Sequence, residues 1–236
     1  MNIQQRTRYN GLIQGKHTME FTIIYDNTVL QEGLTPDWGF AGILKTDENE
    51  FILFDTGADG HILESNCREL GFSLSQMDYV VISHNHFDHI GGLAQTVHRN
   101  LTARYIIPSS LRGLKRPKTI IEAGPEPVQV TKTIYTTGEM AGIEQSLVIA
   151  KDNSVIVITG CSHPGLSAIL DKASDYGKVK GIIGGFHDFS EIEKLKAIPF
   201  ICPTHCTERI EEIQKRYPGA YRKGGAGAVI NITNLL

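Results

Sequence analysis

Four side chains that commonly bind metal ions occur within six residues of this chain. They follow the apolar run Tyr-Val-Val-Ile at 79–82 and are His84, His86, Asp88 and His89. Imidazole nitrogens and carboxylate oxygens are ligands of zinc and other borderline metals. The His-X-His spacing lets two imidazoles reach one ion from an extended turn, and the Asp-His pair is placed to reach a second ion. The run therefore predicts a metal site.

Three other histidines occupy similar places in the sequence, because each comes where an apolar run ends, after small or turn-forming residues. They follow the runs 155–159, 182–186 and 200–204, and they are His163, His187 and His205. Strands at one edge of a sheet lie about 5 Å apart per neighbour, so histidines at several strand ends can converge on one cleft. We expect such a convergence. The remaining histidines are assigned to surface or ordinary polar positions: His17, His61 and His98.

Strands and helices alternate in the predicted secondary structure that must position these residues. Strands are predicted at 21–25, 42–46, 51–54, 79–82, 128–130, 145–150, 155–159, 179–184, 200–202 and 228–232. Helices are predicted at 62–70, 93–99, 166–174, 191–197 and 208–216. The stretch 112–127 holds three prolines and several basic residues, which favours a loop or a mobile insertion. The pattern predicts two mixed sheets with helices outside.

Composition restricts the class of protein and of partner. The chain has 236 residues, of which 41% are hydrophobic, and a net charge of −3. This charge gives no electrostatic reason to expect nucleic acid or an anionic membrane as a partner. There is no apolar run of about 20 residues and no apolar core of a secretion signal near the amino terminus. We expect a cytoplasmic protein with a small-molecule substrate, with residues 1–18 as a loose extension and 19–236 as one domain.

The four cysteines are expected to be thiols, since disulfides are rare in a reducing compartment. They are Cys67, Cys161, Cys202 and Cys206. The segment 202–206, Cys-Pro-Thr-His-Cys, lacks the second Cys-x-x-Cys that a zinc ribbon requires, so we interpret its cysteines as small buried residues beside a histidine.

The metal-binding run also resembles a known family. Residues 83–93, Ser-His-Asn-His-Phe-Asp-His-Ile-Gly-Gly-Leu, look like the His-X-His-X-Asp-His signature of the metallo-β-lactamase superfamily. The motif Leu-Phe-Asp-Thr-Gly at 53–57 precedes it, as in that superfamily. The motifs at 159–165, 184–187 and 203–207 resemble a branch described as dihydropterin ribofuranosyl-aminobenzene phosphate synthase-like. The resemblance covers about residues 20–236 and implies an α+β fold, a four-layer αββα sandwich of two mixed β-sheets.

The resemblance also implies which residues bind metal, with zinc as the expected ion and manganese or iron as alternatives. One ion would be held by His84, His86 and His163. A second would be held by Asp88, His89 and His205. Asp55, in the Asp-Thr-Gly motif, would orient a ligand.

Two departures from the family pattern leave the second ion open. Many hydrolases of the superfamily have a further histidine near the position of 137–140, where this chain has none. They also have a bridging aspartate where this chain has Cys161. That cysteine is either a thiolate ligand or a structural thiol, and we favour the structural role. Branch members tend to have Glu-His-Gly where this chain has Asp-Trp-Gly at 37–39, so Trp38 either lines the pocket or packs in the core.

The function that these residues favour is hydrolysis of a small ester, lactone or phosphoester by metal-activated water. Asp88 would orient or deprotonate the water if the second ion is absent. His187 would contact the substrate or donate a proton, or else be a further ligand. The basic stretch 112–118 could approach a phosphate, although a solvated loop is the favoured interpretation.

Other functions remain open. The branch resemblance implies a transferase or condensing enzyme that acts on a pterin and a phosphoribosyl donor. A non-catalytic metal-binding module is a third alternative. A diiron protein that reduces oxygen or nitric oxide is disfavoured, because such relatives usually have Glu in place of His86 and carry a flavin domain. Nuclease members carry an added RNA-binding domain that we do not identify here. The oligomeric state is not predicted.

Overall fold

Two β-sheets lie face to face in the computed structural model, which describes residues 18–236. The extension predicted at 1–18 therefore lies outside the described residues, apart from its last residue. In chain order the strands are β1 (Glu20–Tyr25), β2 (Ala41–Lys45), β3 (Phe51–Phe54), β4 (Tyr79–Val81), β5 (Arg104–Pro108), β6 (Thr119–Ala123), β7 (Ile134–Thr136), β8 (Leu147–Lys151), β9 (Ser154–Thr159), β10 (Lys178–Gly185), β11 (Phe200–Thr204) and β12 (Val229–Asn231). The helices are α1 (Gly60–Glu69), α2 (Phe87–Ile90), α3 (Leu93–Arg99), α4 (Leu166–Ser174) and α5 (Ile210–Arg216), with 3-10 turns at Leu74–Gln76 and Ile192–Ala197.

Each sheet combines parallel and antiparallel pairs. The larger sheet has the order β12-β1-β2-β3-β4-β5-β6, and the smaller has the order β11-β10-β9-β8-β7. In the larger sheet β3 to β6 are parallel, and in the smaller sheet β9, β10 and β11 are parallel. Parallel strands end at the same edge, so the loops after β3 and β4 are neighbours, as are those after β9, β10 and β11.

Three apolar clusters hold the layers together. The first lies between the sheets and includes Phe54 and Ile156, whose side chains are fully buried. The second packs α1 and α3 on the outer face of the larger sheet, and the third packs α4 and α5 on the outer face of the smaller sheet. Both faces of each sheet are therefore covered, which explains why the strand sequences are nearly continuous apolar runs. The four-layer αββα arrangement of two mixed sheets is confirmed.

The predicted elements are largely confirmed, but the region between α3 and β8 differs. The stretch 112–127 is not entirely a loop, because it contains β6, and the prediction also omitted β5. The next strand is at 134–136 rather than at 128–130, where Gln129 forms a single bridge to Tyr135. Strand β6 was missed because it is an edge strand that keeps two of its five residues, Thr119 and Glu122, exposed. Its sequence therefore lacks the apolar run of a central strand.

Two smaller differences concern helices. The predicted helix at 191–197 is a 3-10 helix at Ile192–Ala197, and a one-turn helix, α2, lies within the metal-binding run itself. Among residues 18–236, no helix has both the length and the apolar character needed to cross a bilayer.

Candidate metal centre

The loops after four strands bring six histidines to one edge of the sandwich. His84, His86 and His89 follow β4, and the other three follow β9, β10 and β11. The His84 ring centroid lies 4.2 Å from that of His89 and 4.7 Å from that of His163. The predicted convergence of histidines at strand ends is therefore confirmed.

A first group of ligand atoms surrounds the buried His84. Its Nε2 lies 3.1 Å from Nδ1 of His86, and the His86 ring centroid is 4.6 Å from that of His163. The imidazole nitrogens of His84 and His163 also lie within 4.8 Å of each other and of the Cys161 sulfur. His84, His86 and His163 thus form one face of the centre, as the resemblance implies, with the thiol behind them.

A second group lies beside the first. Oδ2 of Asp88 is 3.2 Å from Nε2 of His205 and 3.8 Å from Nε2 of His89. The ring centroids of His89 and His205 are 5.0 Å apart. The structure therefore brings together Asp88, His89 and His205, the three residues proposed for a second ion.

Cys161 stands between the two groups. Its sulfur lies 3.1 Å from Nε2 of His89, and only 3% of the residue is exposed. The two sets of candidate ligand atoms that lie within 4.8 Å of one another share this residue, one with His84 and His163 and the other with His89 and His205. The Cys161 sulfur therefore lies within reach of both groups of candidate ligands, whereas a purely structural thiol would have no reason to lie between them.

Buried polar groups orient the rings of the cluster. Asp55 is completely buried, and its Oδ2 lies 2.7 Å from both Nδ1 of His89 and Oγ of Ser83. The Ser83 hydroxyl donates to Asp55 and lies 2.8 Å from Nδ1 of His84. On the far side, Oδ1 of Asn27 lies 3.1 Å from Nδ1 of His205. In each ring the Nδ1 partner leaves Nε2 directed into the centre, as in metal-binding histidines.

A single carboxylate shapes the loop that carries Cys161 and His163. Oε1 of Glu144 accepts hydrogen bonds from the Thr159 hydroxyl and from the backbone N–H groups of residues 160, 161 and 162, at 3.0–3.1 Å. Oε2 accepts from the N–H of His163 at 2.8 Å. Glu144 is 1% exposed. The loop leaves β9 without further sheet partners, so this carboxylate satisfies buried donors that would otherwise be unpaired.

Backbone geometry at the edge is unusual for residues with side chains. Asp55, Ser162, His187 and His205 have φ values of 59°, 64°, 47° and 50°. Residues other than glycine rarely adopt this left-handed conformation, and such strain concentrates at functional sites. At each position the chain turns sharply after a strand, which points the side chain across the sheet edge.

The pKa shifts favour the neutral ring at three histidines of the centre, whereas at His89 burial is outweighed by Asp55 and Asp88, which raise the pKa. Burial, together with the neighbouring imidazoles, lowers the pKa of His84 far below its usual value. Burial also lowers the pKa values of His163 and His205. Burial opposes ionisation of Asp88, but His205 and His89 outweigh it and lower the pKa of this carboxyl overall. Neutral imidazoles beside an ionised carboxylate are the state that metal binding requires.

The donor set fits a divalent cation. Among the described residues, Nε2 of His163 and Nε2 of His205 are buried without a hydrogen-bond partner, the latter because its approach to Asp88 is not aligned as a hydrogen bond. A buried imidazole nitrogen without a partner is costly, and a metal ion would remove that cost. Nitrogen, sulfur and carboxylate donors in this number suit zinc.

His187 lies at the mouth of the centre. Its ring centroid is 5.2 Å from that of His163, and 45% of its side chain is exposed.

The four basic side chains of 112–118 are all exposed, and the segment ends where the Lys118 N–H donates to the Leu101 carbonyl. His61 and His98 are exposed, as expected, and His17 lies outside the described residues.

Two polar residues of the centre were missed from the sequence. Glu144 lies in a turn without any motif, so no local signal marked it. Asn27 follows β1, which runs parallel to β3 and ends at the same edge. The signal that predicted the histidines, a polar residue shortly after the end of an apolar run, is therefore present at Asn27 as well.

Comparisons with known proteins find relatives of the same fold. The family model of the metallo-beta-lactamase superfamily matches residues 35–205. An uncharacterized protein of Methanocaldococcus jannaschii is 28% identical, with 78% of this chain and 89% of the relative covered. The 7,8-dihydropterin-6-methyl-4-(beta-D-ribofuranosyl)-aminobenzene-5'-phosphate synthase of the same organism is 25% identical over 73% of this chain and 83% of its own. The crystal structure of a metal-dependent hydrolase of the beta-lactamase superfamily superimposes with a TM-score of 0.72 at 25% identity, covering 90% of this chain and 98% of the other.

Proposed function

Because this chain belongs to the metallo-β-lactamase superfamily, we propose that it is a metal-dependent hydrolase of a small-molecule ester, lactone or phosphoester. The observation that carries the proposal is the cluster of imidazoles around Cys161 with two buried, unpaired ring nitrogens. The similarity to a metal-dependent hydrolase of the same superfamily supports it. The net charge of −3 favours a small molecule over nucleic acid as substrate.

Two sets of residues would hold the ions. His84, His86 and His163 would hold the first, and Asp88, His89 and His205 would hold the second. Cys161 lies in both groups of candidate ligand atoms. This position supports the ligand role for its sulfur, which we did not favour from the sequence, over a structural role.

The chain's own residues account for the rest of the chemistry. When bound, zinc lowers the pKa of water toward neutrality and polarises the substrate oxygen. If only the first ion is bound, Asp88, whose carboxylate is ionised and 13% exposed, would accept a hydrogen bond from the attacking water and orient it. His187, exposed at the mouth, would donate a proton to the leaving oxygen.

Metal analysis combined with hydrolysis tests this proposal. The wild-type chain is expected to purify with at least one equivalent of zinc, manganese or iron and to hydrolyse generic lactone or phosphodiester substrates. His84→Ala should lose most of the metal and activity, because it removes the most buried ring of the first group. His98→Ala is the matched control, since His98 is exposed on α3 and should change neither. A wild-type chain without stoichiometric metal would contradict the proposal.

A second candidate function rests on the 25% identity to the dihydropterin-linked synthase. In that case the same centre would join a pterin alcohol to a phosphoribosyl donor. Incubation of the chain with both compounds, with and without chelator, separates the two functions. Metal-dependent product would favour the transferase, and its absence alongside ester or lactone hydrolysis would favour the hydrolase.

A further inference from the structure

Two large aromatic side chains stand exposed beside the metal centre. Trp38 is 55% exposed and Phe87 is 66% exposed. The Trp38 ring centroid lies 5.1 Å from that of His205, so the indole covers one candidate ligand. Phe87 lies between His86 and Asp88 in the metal-binding run and is the first residue of α2. Neither ring is part of the three apolar clusters that hold the fold together.

The backbone places the two residues next to each other at the centre. The Phe40 N–H donates to the Asp88 carbonyl at 3.2 Å. Gly39 lies so close to this carbonyl that a Cβ on Gly39 would be 2.5 Å from its oxygen. Trp38 directly precedes Gly39 on one chain segment, and Phe87 directly precedes Asp88 on the other. The two aromatic residues therefore flank a direct contact between their segments.

The exposed indole projects from a backbone that is held on both sides. The Tyr25 hydroxyl donates to the Asp37 carboxylate, and the Asp37 N–H donates to the Asp26 carbonyl at 3.3 Å. The Gly39 N–H donates to Oδ1 of Asn27 at 3.2 Å. An apolar surface that is exposed yet fixed in place is arranged for contact with another molecule, since little backbone freedom is lost on binding.

We infer that the substrate carries a planar aromatic ring that packs on Trp38 and Phe87 while its reactive bond lies over the histidine cluster. Aromatic faces prefer offset-stacked or edge-to-face partners, which a flat ring provides and a saturated ring does not. The inference deepens the proposed function and rests on the same centre. It assigns Trp38 and Phe87 as specificity-determining residues.

Trp38 is the only tryptophan in the sequence, so its fluorescence reports binding without any turnover. The full chain, loaded with zinc, is titrated with phenylphosphonate and with cyclohexylphosphonate, which share the same anionic group and differ in the aromaticity of the ring. We expect a saturable change in emission and a Kd for phenylphosphonate about tenfold lower than for cyclohexylphosphonate. Equal Kd values, or no saturable response to either compound, would overturn the inference.

Variants of Phe87 sharpen the test. Phe87→Leu keeps an apolar side chain but removes the ring, so the preference for phenylphosphonate should shrink severalfold while binding of cyclohexylphosphonate changes little. Leu101→Ala is the control, because Leu101 is 37% exposed and precedes β5, at the opposite edge from the centre. Circular dichroism verifies folding, and Phe87→Ala provides a second variant. An unchanged preference in both Phe87 variants would overturn the assignment of Phe87.

The outcomes separate this inference from the proposed function. Selective binding of phenylphosphonate without hydrolysis of any ester, lactone or phosphoester would retain the aromatic subsite and reject the hydrolase. Metal-dependent hydrolysis of such substrates with no preference for the aromatic ligand would retain the hydrolase and reject the aromatic subsite.

Discussion

At the scale of single residues, the candidate metal centre depends on side chains that lie behind the candidate ligands. Asp55, Ser83 and Asn27 each contact the Nδ1 of a histidine, and Glu144 holds the backbone of the loop at 159–163. Such partners set the orientation of a ligand and typically change metal affinity about 10–100-fold when they are removed. Glu144 is the most informative of them, because it acts on Cys161 and His163 together.

Replacement of Glu144 by glutamine should weaken both the fold and metal binding. The amide keeps one acceptor but turns an NH2 group toward backbone N–H donors, so some of the buried donors lose their partner. We expect the free energy of unfolding to fall by about 2 kcal/mol and zinc affinity to fall at least about tenfold. Chemical denaturation and a zinc competition titration measure the two effects.

Two further variants show whether the effect belongs to this carboxylate. Glu48→Gln is the matched control, because Glu48 is exposed in the turn between β2 and β3 and should change neither quantity. Glu144→Asp keeps the charge with a shorter reach and should retain more of the zinc affinity than Glu144→Gln. Full zinc affinity in Glu144→Gln would show that the loop keeps its shape without the carboxylate.

At the scale of elements, the turn after β3 clamps the turn around α2. The N–H and hydroxyl of Thr56 donate to the His89 carbonyl at 2.8 and 2.9 Å, and the Gly92 N–H donates to the Gly57 carbonyl at 3.3 Å. The two segments touch at Gly91, where a Cβ would lie 2.0 Å from the Ala58 carbonyl oxygen. Only glycine permits this approach, which holds His89 and Asp88 at the edge of the sheet.

Gly91→Ala should therefore push α2 away from the Asp55 turn. The added methyl group clashes with backbone atoms that cannot rotate aside, so we expect a loss of about 2 kcal/mol in the free energy of unfolding and weaker zinc binding. Gly219→Ala is the control, since Gly219 is exposed and an added Cβ meets no atom within 4 Å. Equal stability of the two variants would mean that the clamp is not rigid.

The strand-end pattern was predictable, but β6 was not. A strand that is buried on both faces is a continuous apolar run, so β4, β9 and β11 and the histidines after them could be located. Strand β6 has a neighbour on one side only and mixes exposed with buried residues, which leaves no clear period in its sequence. Strand β11 is also an edge strand, but all five of its residues are buried, so its sequence remained recognisable.

At the scale of the whole molecule, the reactivity of two buried thiols shows how the layers of the fold separate during unfolding. Cys67 belongs to α1 and packs on the outer face of the larger sheet, whereas Cys202 belongs to β11 and faces the space between the sheets. Each is 1% exposed. Burial raises the pKa of both thiols to about 12. The reactive thiolate is therefore scarce in the folded chain at ordinary pH.

Alkylation of these two cysteines should be slow until the chain unfolds. Because the pKa is raised, the thiolate fraction in the folded state increases only as pH approaches about 12. Raising the pH from 7 to 9 should thus leave both thiols protected in native buffer. Mass spectrometry after iodoacetamide treatment measures the modification of each, with the partly exposed Cys206 as the internal comparison.

The alkylation rates of Cys67 and Cys202 in increasing denaturant decide whether α1 and the two sheets open together. If the fold unfolds as one cooperative unit, Cys67 and Cys202 become reactive at the same denaturant concentration. Faster modification of Cys67 alone would show that α1 separates before the sheets do.

Local order along the chain was enough to identify the His-X-His-X-Asp-His run, the histidines at strand ends and two mixed sheets with helices outside, because strand periodicity and metal-ligand spacing are properties of neighbouring residues. The αββα sandwich was implied by the family resemblance. The shared position of Cys161, the Glu144 hydrogen bonds to the following loop and the contact of Asn27 with His205 join residues 16 to 178 positions apart. Such contacts depend on how two sheets pack face to face and on which strand ends meet at one edge. That packing is settled only when the apolar faces of all four layers are buried together.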